Sequence, residues 1–380
     1  MHRRWIRILW GFVGMLSLSV AVAGCGSSTT GTNPSPAATS KHPPFVVHFS
    51  WGTFKLNPAI ATKIQQHKPL NIVLSYQILS ELGAPAQLRI GLQTAAAEMS
   101  KQFHVPINAR LIGPTQTDPA QQIAEVQALL QAHQIDALGI EPVTPNAFAS
   151  VINQAMADGV PVFTVNTDSP LSHRIAYYGV NDSSTGDGET VAHYTITWLK
   201  QHHIALHTVA LETGDDTAAW AQGRMEAWLS VMKKAYPHLK VYGTPTNTLT
   251  TGYNPPTIYA DTKAFLTGHP NVQFIFDTDW GGAPIAKAIE DAGLKGKTWV
   301  IGYNVDGQIL DYIGTNTPLI ATADQNYTNQ AEAFVKGASQ FLLAGKVPSS
   351  PMQYLPVQMI TPSNVAKIRT EYAKALGITP

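Results

Sequence analysis

The sequence predicts an α/β protein made of two doubly wound parallel-sheet lobes of similar size. The first observation is that short apolar runs typical of strands alternate with amphipathic helical patterns from Asn71 onward. The second is that this alternation runs through the chain twice. A strand, a helix and a further parallel strand form a right-handed crossover, so each half should hold one parallel sheet with helices on its faces. With 380 residues, 44% of them hydrophobic, the chain can bury two such cores.

In the first half, short apolar runs predict four strands, over residues 72–76, 107–112, 135–140 and 160–165. Helical spacing of apolar residues predicts helices over 86–103 and near 146–158. Asp118 followed by Pro119 predicts the start of another helix, since Asp is a good N-cap and Pro suits the first helical position.

The second half repeats this pattern. Strands are predicted over residues 208–211, 239–242, 272–277 and 299–303, with helices near 185–201, 220–235, 257–267 and 283–292. A strand over 319–323, a helix over 327–344 and a strand over 352–358 close the chain. Residues 45–70 are predicted to be an N-terminal extension with one helix, packed on the first lobe.

Charge and cysteine content exclude several classes of protein. The 25 basic and 25 acidic residues balance, and no basic stripe marks a nucleic-acid surface. The single cysteine, Cys25, excludes an internal disulfide framework and a cysteine metal cluster. No phosphate-binding loop or nucleophile elbow occurs either. We therefore expect no metal, no cofactor and no nucleic-acid partner.

The N-terminus has the pattern of a secretion signal. A basic start is followed by an apolar run over residues 8–23, too short to span a membrane comfortably. Its last residues, Val22-Ala23-Gly24-Cys25, resemble a bacterial lipobox, which implies lipidation of Cys25. The alternative is an ordinary signal with a stray cysteine. Residues 25–44, rich in Ser, Thr, Gly and Pro, are predicted to be a flexible tether after a signal peptide of residues 1–24.

Five later stretches together resemble one family. They are LGIEPVTPNAFASVINQAMADGVPVFTVNTDSP, AYYGVNDSSTGDGETVAHYTITWL, VQFIFDTDWGGAPIAKAIEDAGL, WVIGYNVDGQILDYI and LIATADQNYTNQAEAFVKGASQFLLAGK. In this order they resemble the type I periplasmic sugar-binding proteins of ABC importers, over roughly residues 70–360. The family's sugar-responsive repressors carry a helix-turn-helix at the N-terminus, where this chain has a signal and a tether.

The resemblance implies two lobes joined by three crossing segments, near residues 179–182, 324–326 and 353–357. The N-terminal lobe would comprise 71–180 with 326–354, and the C-terminal lobe 181–325 with 355–380. Ligand contacts would come from strand ends on both lobes. The matching positions are Gln77, Glu141, Asn166, Asp168, Arg224, Asp279, Asn304 and Gln325.

These residue types suit a sugar, because planar carboxylate, amide and guanidinium groups can each engage two adjacent hydroxyls. One departure concerns the loop over residues 77–85, which lacks the family's pair of aromatic rings. Tyr76, Trp220 or Trp280 could supply the stacking ring instead.

The resemblance implies a monomeric, extracytoplasmic lipoprotein that captures a monosaccharide by hinge closure and delivers it to an ABC permease. A second interpretation is a sensor that presents a sugar or autoinducer-like signal to a chemoreceptor or histidine kinase. A third is an enzyme that uses the carboxylate pairs Asp215/Asp216 and Asp277/Asp279. In this fold such positions accept hydrogen bonds from ligands, so we expect a binding protein and no enzyme.

Overall fold

The computed structural model describes residues 45–81, 83–314 and 316–377. The predicted signal peptide, the tether and Cys25 lie outside these residues. The described chain begins with an antiparallel hairpin, β1 (Val46–Phe49) and β2 (Gly52–Lys55), followed by helix α1 (Pro58–Gln65). Phe45 and Phe54 of this segment are buried against Phe341 in the core of the first lobe.

Most of the N-terminal lobe comes from the next segment of the chain. In chain order its elements are β3 (Leu70–Ser75), α2 (Ala84–Phe103), β4 (Ile107–Ile112), α3 (Pro119–Gln131), β5 (Ala137–Ile140), α4 (Ala149–Ala157), β6 (Val162–Val165) and β7 (Ala176–Gly179). Helix α3 begins as predicted, because the Asp118 side chain accepts a hydrogen bond from the backbone N–H of Gln121.

The C-terminal lobe follows. Its elements are α5 (Asp187–Gln201), β8 (Thr208–Thr213), α6 (Ala219–Ala235), β9 (Lys240–Tyr242), β10 (Leu249–Thr250), α7 (Pro255–Gly268), β11 (Phe274–Asp277), α8 (Gly282–Asp291), β12 (Trp299–Tyr303), α9 (Gly307–Tyr312) and β13 (Leu319–Asp324). The chain then returns to the first lobe for α10 (Tyr327–Ala344) and β14 (Met352–Tyr354), and ends in the second with β15 (Gln358–Ile360) and α11 (Val365–Leu376).

Two separate sheets confirm the predicted fold class. The N-terminal sheet has the order β14-β7-β6-β5-β3-β4 and is parallel throughout. The C-terminal sheet has the order β10-β8-β11-β12-β13-β15, with β9 also paired to β8. All its pairs are parallel except β13 with β15. Strand order reverses within each sheet, and ligands of such folds bind at the carboxyl ends of the strands near this point.

The chain passes between the two sheets three times, after β7, after β13 and between β14 and β15. Two of these crossings touch, because the backbone N–H of Leu355 donates to the carbonyl of Gly179 over 2.8 Å. The third crossing is the segment around Gln325.

Several details differ from the sequence prediction, which also lacked strands β7 and β10 and helices α9 and α11. The single strand expected over residues 352–358 is two strands, one in each sheet, because the chain crosses between lobes at Leu355 and Pro356. Proline has no backbone N–H to donate to a sheet ladder, so it suits such a break. The hairpin of residues 46–55 was not predicted, and it forms a separate two-stranded sheet in the N-terminal extension.

Candidate ligand-binding site

The carboxyl ends of seven strands meet in the cleft between the lobes. Those of the N-terminal lobe are β3, β5 and β6, and those of the C-terminal lobe are β8, β11, β12 and β13. Nearly all the positions predicted from the sequence follow directly on these strand ends. The fold thus places polar side chains from distant parts of the chain on the two walls of one cleft.

Glu141 is the central group on the N-terminal wall. Its side chain follows β5 and the residue is only 1% exposed. Oε1 accepts hydrogen bonds from Asn166 Nδ2 at 2.5 Å and from Gln77 Nε2 at 3.3 Å. Oε2 finds no hydrogen-bond donor among the described residues. Burial raises the pKa of Glu141 well above its usual value, against the opposing effect of the Asn166 hydrogen bond.

Asp279 is the corresponding group on the C-terminal wall, 6% exposed and two residues beyond β11. Its backbone N–H donates to Asp277 Oδ1 at 2.7 Å, and its Oδ1 accepts from Asn304 Nδ2 at 3.2 Å. Asp279 Oδ2, like Glu141 Oε2, has no donor among the described residues. Burial, with the nearby charge of Asp277, raises the pKa of Asp279 well above its usual value.

A chain of amide side chains connects the two walls. Gln325 Nε2 donates to Asn304 Oδ1 at 2.6 Å, and Gln330 Nε2 donates to the Gln325 carbonyl at 2.9 Å and to Asn166 Oδ1 at 3.4 Å. Hydrogen bonds therefore run from Glu141 to Asp279 through the crossing segment at Gln325. Such a network holds both carboxyl groups in fixed orientations.

Two of these amides stand on left-handed backbone, with φ of 61° at Asn166 and 67° at Asn304. Asparagine adopts this conformation more readily than most residues. The sequence placed both residues at strand ends but gave no sign of this conformation.

Arg224 of α6 stands beside the C-terminal wall, and two of its N–H groups have hydrogen-bond partners within the protein. Its Nε donates to Asp182 Oδ1 at 2.6 Å, and Nη1 donates to the carbonyl of Thr278 at 2.8 Å. The guanidinium carbon also lies 4.3 Å from the ring centre of Tyr303 and 4.9 Å from that of Trp220. Trp220 therefore covers Arg224, which assigns that ring a partner within the protein.

The other two candidate rings, those of Tyr76 and Trp280, follow the carboxyl ends of β3 and β11. The Tyr76 hydroxyl donates to Glu81 Oε2, and the Tyr76 ring meets Tyr327 edge to face with centroids 6.4 Å apart. Trp280 is half-buried and packs against the cores of both lobes. Burial raises the pKa of Glu81 to about 7, while hydrogen bonds from Tyr76 and Trp280 oppose that rise.

Asp168 lies apart from this network. Both of its carboxylate oxygens accept hydrogen bonds from the Arg174 guanidinium, and Oδ1 also accepts one from Thr164 at 2.6 Å. Its acceptor capacity is thus largely used within the N-terminal lobe.

Sequence reasoning overlooked several residues of the cleft. Glu81, Tyr327 and Gln330 lie within a few residues of predicted positions, and their proximity to strand ends was the available signal. Glu212 and Asp277 form a second buried carboxyl pair on neighbouring strands, in direct register. No group of three or more His, Cys, Asp or Glu residues in the described chain is arranged to hold a metal ion.

Comparison with known proteins decides the family. A family model described as a periplasmic binding protein domain matches residues 85–346. The chain belongs to this family. Among its described residues, no helix of this periplasmic binding protein has the length and apolar character needed to cross a membrane. A search of curated protein sequences gave no match.

Solved structures show the same fold at low sequence identity. The glucose-galactose-binding protein GanP from Geobacillus stearothermophilus is 21% identical, with a TM-score of 0.64 over 78% of this chain and 98% of its own. An ABC-transporter solute-binding protein from Burkholderia graminis, in complex with D-arabinose, is 21% identical, with a TM-score of 0.66 over 78% and 96%. A XylFII–LytSN complex contains a chain that is 21% identical, with a TM-score of 0.63 over 78% and 98%.

Proposed function

We propose that this periplasmic binding protein captures a monosaccharide in the cleft between its lobes and delivers it to an ABC permease. The observation that carries the proposal is the pair of unpartnered carboxyl oxygens, Glu141 Oε2 and Asp279 Oδ2, one on each wall. A buried acceptor left without a donor costs about 1–3 kcal/mol, so a ligand that donates to both would be stabilised there. The hydroxyls of a sugar provide such donors.

The fold and the relatives support a sugar over other small ligands. GanP is named for glucose and galactose, and the Burkholderia graminis protein was solved with D-arabinose. The amides of Asn166, Asn304 and Gln325 line the same network and match the hydrogen-bonding groups of a polyol. We therefore assign the eight predicted positions to the ligand site or its support, with Asp168 and Arg224 acting through their ion pairs.

Entry and capture would require the lobes to separate and close. Three crossing segments connect them, and hinge closure around a ligand is a common motion of such two-lobed folds. The ligand would leave unchanged, since binding and delivery call for no bond cleavage. A turnover product recovered after incubation with any sugar would contradict this part of the proposal.

The cellular setting follows from the N-terminus. We propose that cleavage before Cys25 and lipidation of its thiol anchor the monomer to a membrane outside the cytoplasm, at the cell surface or in the periplasm, with residues 26–44 as the tether. Mass spectrometry of the mature protein tests this directly. A mature chain that begins at another residue, or an unmodified cysteine, would contradict the anchor.

A second candidate is a sensor that presents its ligand to a receptor protein. The observation that favours it is the similarity to a chain solved as a XylFII–LytSN complex. Sugar uptake in membrane vesicles that contain the cognate permease separates the two. Stimulation by this protein supports transport, and its absence supports the sensor.

The test of sugar binding is a thermal-shift screen of pentoses, hexoses, deoxysugars, polyols and nucleosides. A ligand at 100 times its dissociation constant should add about 2.7 kcal/mol to the free energy of unfolding. Glu141→Ala and Asp279→Ala should each abolish the shift, whereas Glu125→Ala on α3 should keep it. A flat response to every sugar would overturn the monosaccharide assignment.

A further inference from the structure

Acidic groups greatly outnumber basic groups in the interior of this protein. Among the described residues, the buried side chains include one base, Arg224. The buried acids are Asp136, Glu141, Glu212, Asp277, Asp279 and Asp324. Asp136 is bound by the partly exposed Lys63 at 2.8 Å, and Arg224 is bound to Asp182. The remaining buried acids have no basic partner among the ion pairs of the described chain.

Three carboxyl groups face the cleft together. They are Glu141 and Asp279, which are buried, and Glu81, which is half-buried at the cleft mouth. The negative charge of Glu81 raises the pKa of both Glu141 and Asp279. Asp277 also raises the pKa of Asp279, whereas Arg224 lowers it, and the phenols of Tyr76 and Tyr327 are further titratable groups of this region.

The unpartnered atoms of this region are mostly hydrogen-bond acceptors. Glu141 Oε2, Asp279 Oδ2 and Gln330 Oε1 each lack a donor within the described chain. The residues that carry them are 1%, 6% and 0% exposed. The cleft thus calls for a ligand rich in donors, and its carboxyl groups would favour one that also carries positive charge.

A neutral sugar meets only part of this demand. Its hydroxyls can donate to the carboxyl oxygens, but they bring no positive charge. With a neutral ligand the raised pKa values keep these buried acids protonated, because an uncompensated buried carboxylate costs several kcal/mol. A protonated amine supplies both the charge and three N–H donors, and hydrogen bonds between ionised groups are about twice as strong as neutral ones. Arg224 lowers the pKa of Asp279, but its hydrogen bonds go to Asp182 and to the carbonyl of Thr278, so Asp279 Oδ2 still lacks a donor.

We propose that the ligand of this cleft carries a protonated amino group among its hydroxyls, as an amino sugar or an amino polyol does. The inference rests on the proposed function and specifies its ligand class. The amine would lie between Glu141 and Asp279, and the amides of Asn166 and Asn304 would meet the hydroxyls.

The test is isothermal titration of the full mature chain with matched ligands. D-glucosamine is compared with D-glucose and N-acetyl-D-glucosamine, and D-galactosamine with D-galactose and N-acetyl-D-galactosamine. In at least one set the amino sugar should bind at least tenfold more tightly than both uncharged partners. Uncharged sugars that bind as tightly as the amino sugars, or more tightly, would overturn the proposal.

Putrescine, an amine without hydroxyls, separates this inference from the proposed function. Binding of putrescine but of no sugar would overturn the proposed function and the sugar part of the inference, yet support a cationic ligand. If neither the amino sugars nor putrescine bind, the inference is overturned, and the proposed function stands or falls with the thermal-shift screen of neutral sugars.

Two isosteric variants test whether Glu141 and Asp279 cause the preference for the amino sugar. Glu141→Gln and Asp279→Asn resemble the protonated acids in shape, so they should fold, and each should lower the affinity for the amino sugar at least tenfold. The ratio of the affinity for the amino sugar to the affinity for the neutral sugar should fall accordingly. Asp261→Asn makes the same chemical change on the exposed face of α7 and should alter neither value. An amino-sugar preference that survives in both cleft variants would contradict the assignment.

Discussion

Arg224 shows at the level of single residues how the C-terminal wall is held in place. Its guanidinium joins Asp182, just after the first crossing, to the carbonyl of Thr278 at the end of β11. The Arg224 side chain is 3% exposed and that of Asp182 is 15% exposed, so water can hardly replace either partner. The first crossing and the loop that carries Asp279 therefore depend on the same ion pair.

Arg224→Met should destabilise the protein strongly, because it leaves Asp182 without its partner in a largely buried position. Loss of one member of a buried ion pair costs about 3–5 kcal/mol. Urea unfolding of the ligand-free protein measures the change. The control is Lys367→Met, which breaks an exposed pair with Glu371 and should cost less than about 1 kcal/mol. Equal losses in the two variants would contradict this account.

For single residues, the sequence was a better guide to where polar side chains stand along the chain than to which groups they bind. Glu141, Asn166, Asp279 and Asn304 were predicted through the family resemblance, and in the structure they follow the carboxyl ends of β5, β6, β11 and β12. That Arg174 engages Asp168 could not be predicted, because the pairing depends on how the chain turns after β6.

Among the elements, the start of α2 lies close to the other lobe. Gly83 precedes the helix with φ of 88°, and a Cβ atom there would lie 2.7 Å from the carbonyl oxygen of Val305 in the other lobe. It would also lie 3.1 Å from the hydroxyl of Tyr372. The close approach of β3–α2 to the C-terminal lobe therefore requires glycine at this position.

Gly83→Ala should weaken ligand binding, because in the described arrangement of the lobes the added methyl group collides with Val305 of the other lobe. A steric cost of about 1–3 kcal/mol corresponds to roughly a 5- to 150-fold loss of affinity. Calorimetric titration with the sugar found in the screen measures it.

The matched control is Gly252→Ala. Gly252 also has a positive φ, 70°, but a Cβ there would meet nothing within 4 Å. This variant bears the same kind of backbone strain without the interlobe contact, so its affinity should equal that of the wild type. If both variants lose affinity alike, the contact of Gly83 with Val305 does not govern closure.

Elements with strong local signals were predicted well, and those that depend on distant pairing were not. The helix over residues 327–344 and the start of α3 at Pro119 agree with the structure because apolar spacing and capping act within the segment. The hairpin of residues 46–55 has no Asn-Gly or similar turn signal, and its strands are only four residues long. Its burial against Phe341 is a tertiary effect.

For the molecule as a whole, the buried acids predict an unusual dependence of stability on pH. Burial raises the pKa of Glu81 to about 7 and that of Asp324 to about 6, and it raises those of Glu141 and Asp279 well above the usual range. In the unfolded chain these groups titrate near pH 4. At a pH between the pKa of such a group in the unfolded chain and its pKa in the folded protein, the folded protein holds a proton that the unfolded chain has lost.

The free energy of unfolding of the ligand-free protein should therefore fall as the pH rises from about 5 to 8. Urea unfolding at several pH values measures this slope, and Glu141→Gln, which cannot ionise, should make it shallower. Asp261→Asn, on the surface, should leave the slope unchanged. Stability that rises over the same pH range would show that the cleft carboxyl groups are ionised in the folded protein without a ligand.

The central claim is that a sugar lies between the two lobes, held by the strand ends of both. A crystal structure of the protein grown with the sugar that gives the largest thermal shift tests it most directly. The account predicts ligand density in the cleft, within hydrogen-bonding distance of Glu141 on one wall and Asp279 on the other. Density that touches one lobe alone, or a ligand bound outside the cleft, would contradict it.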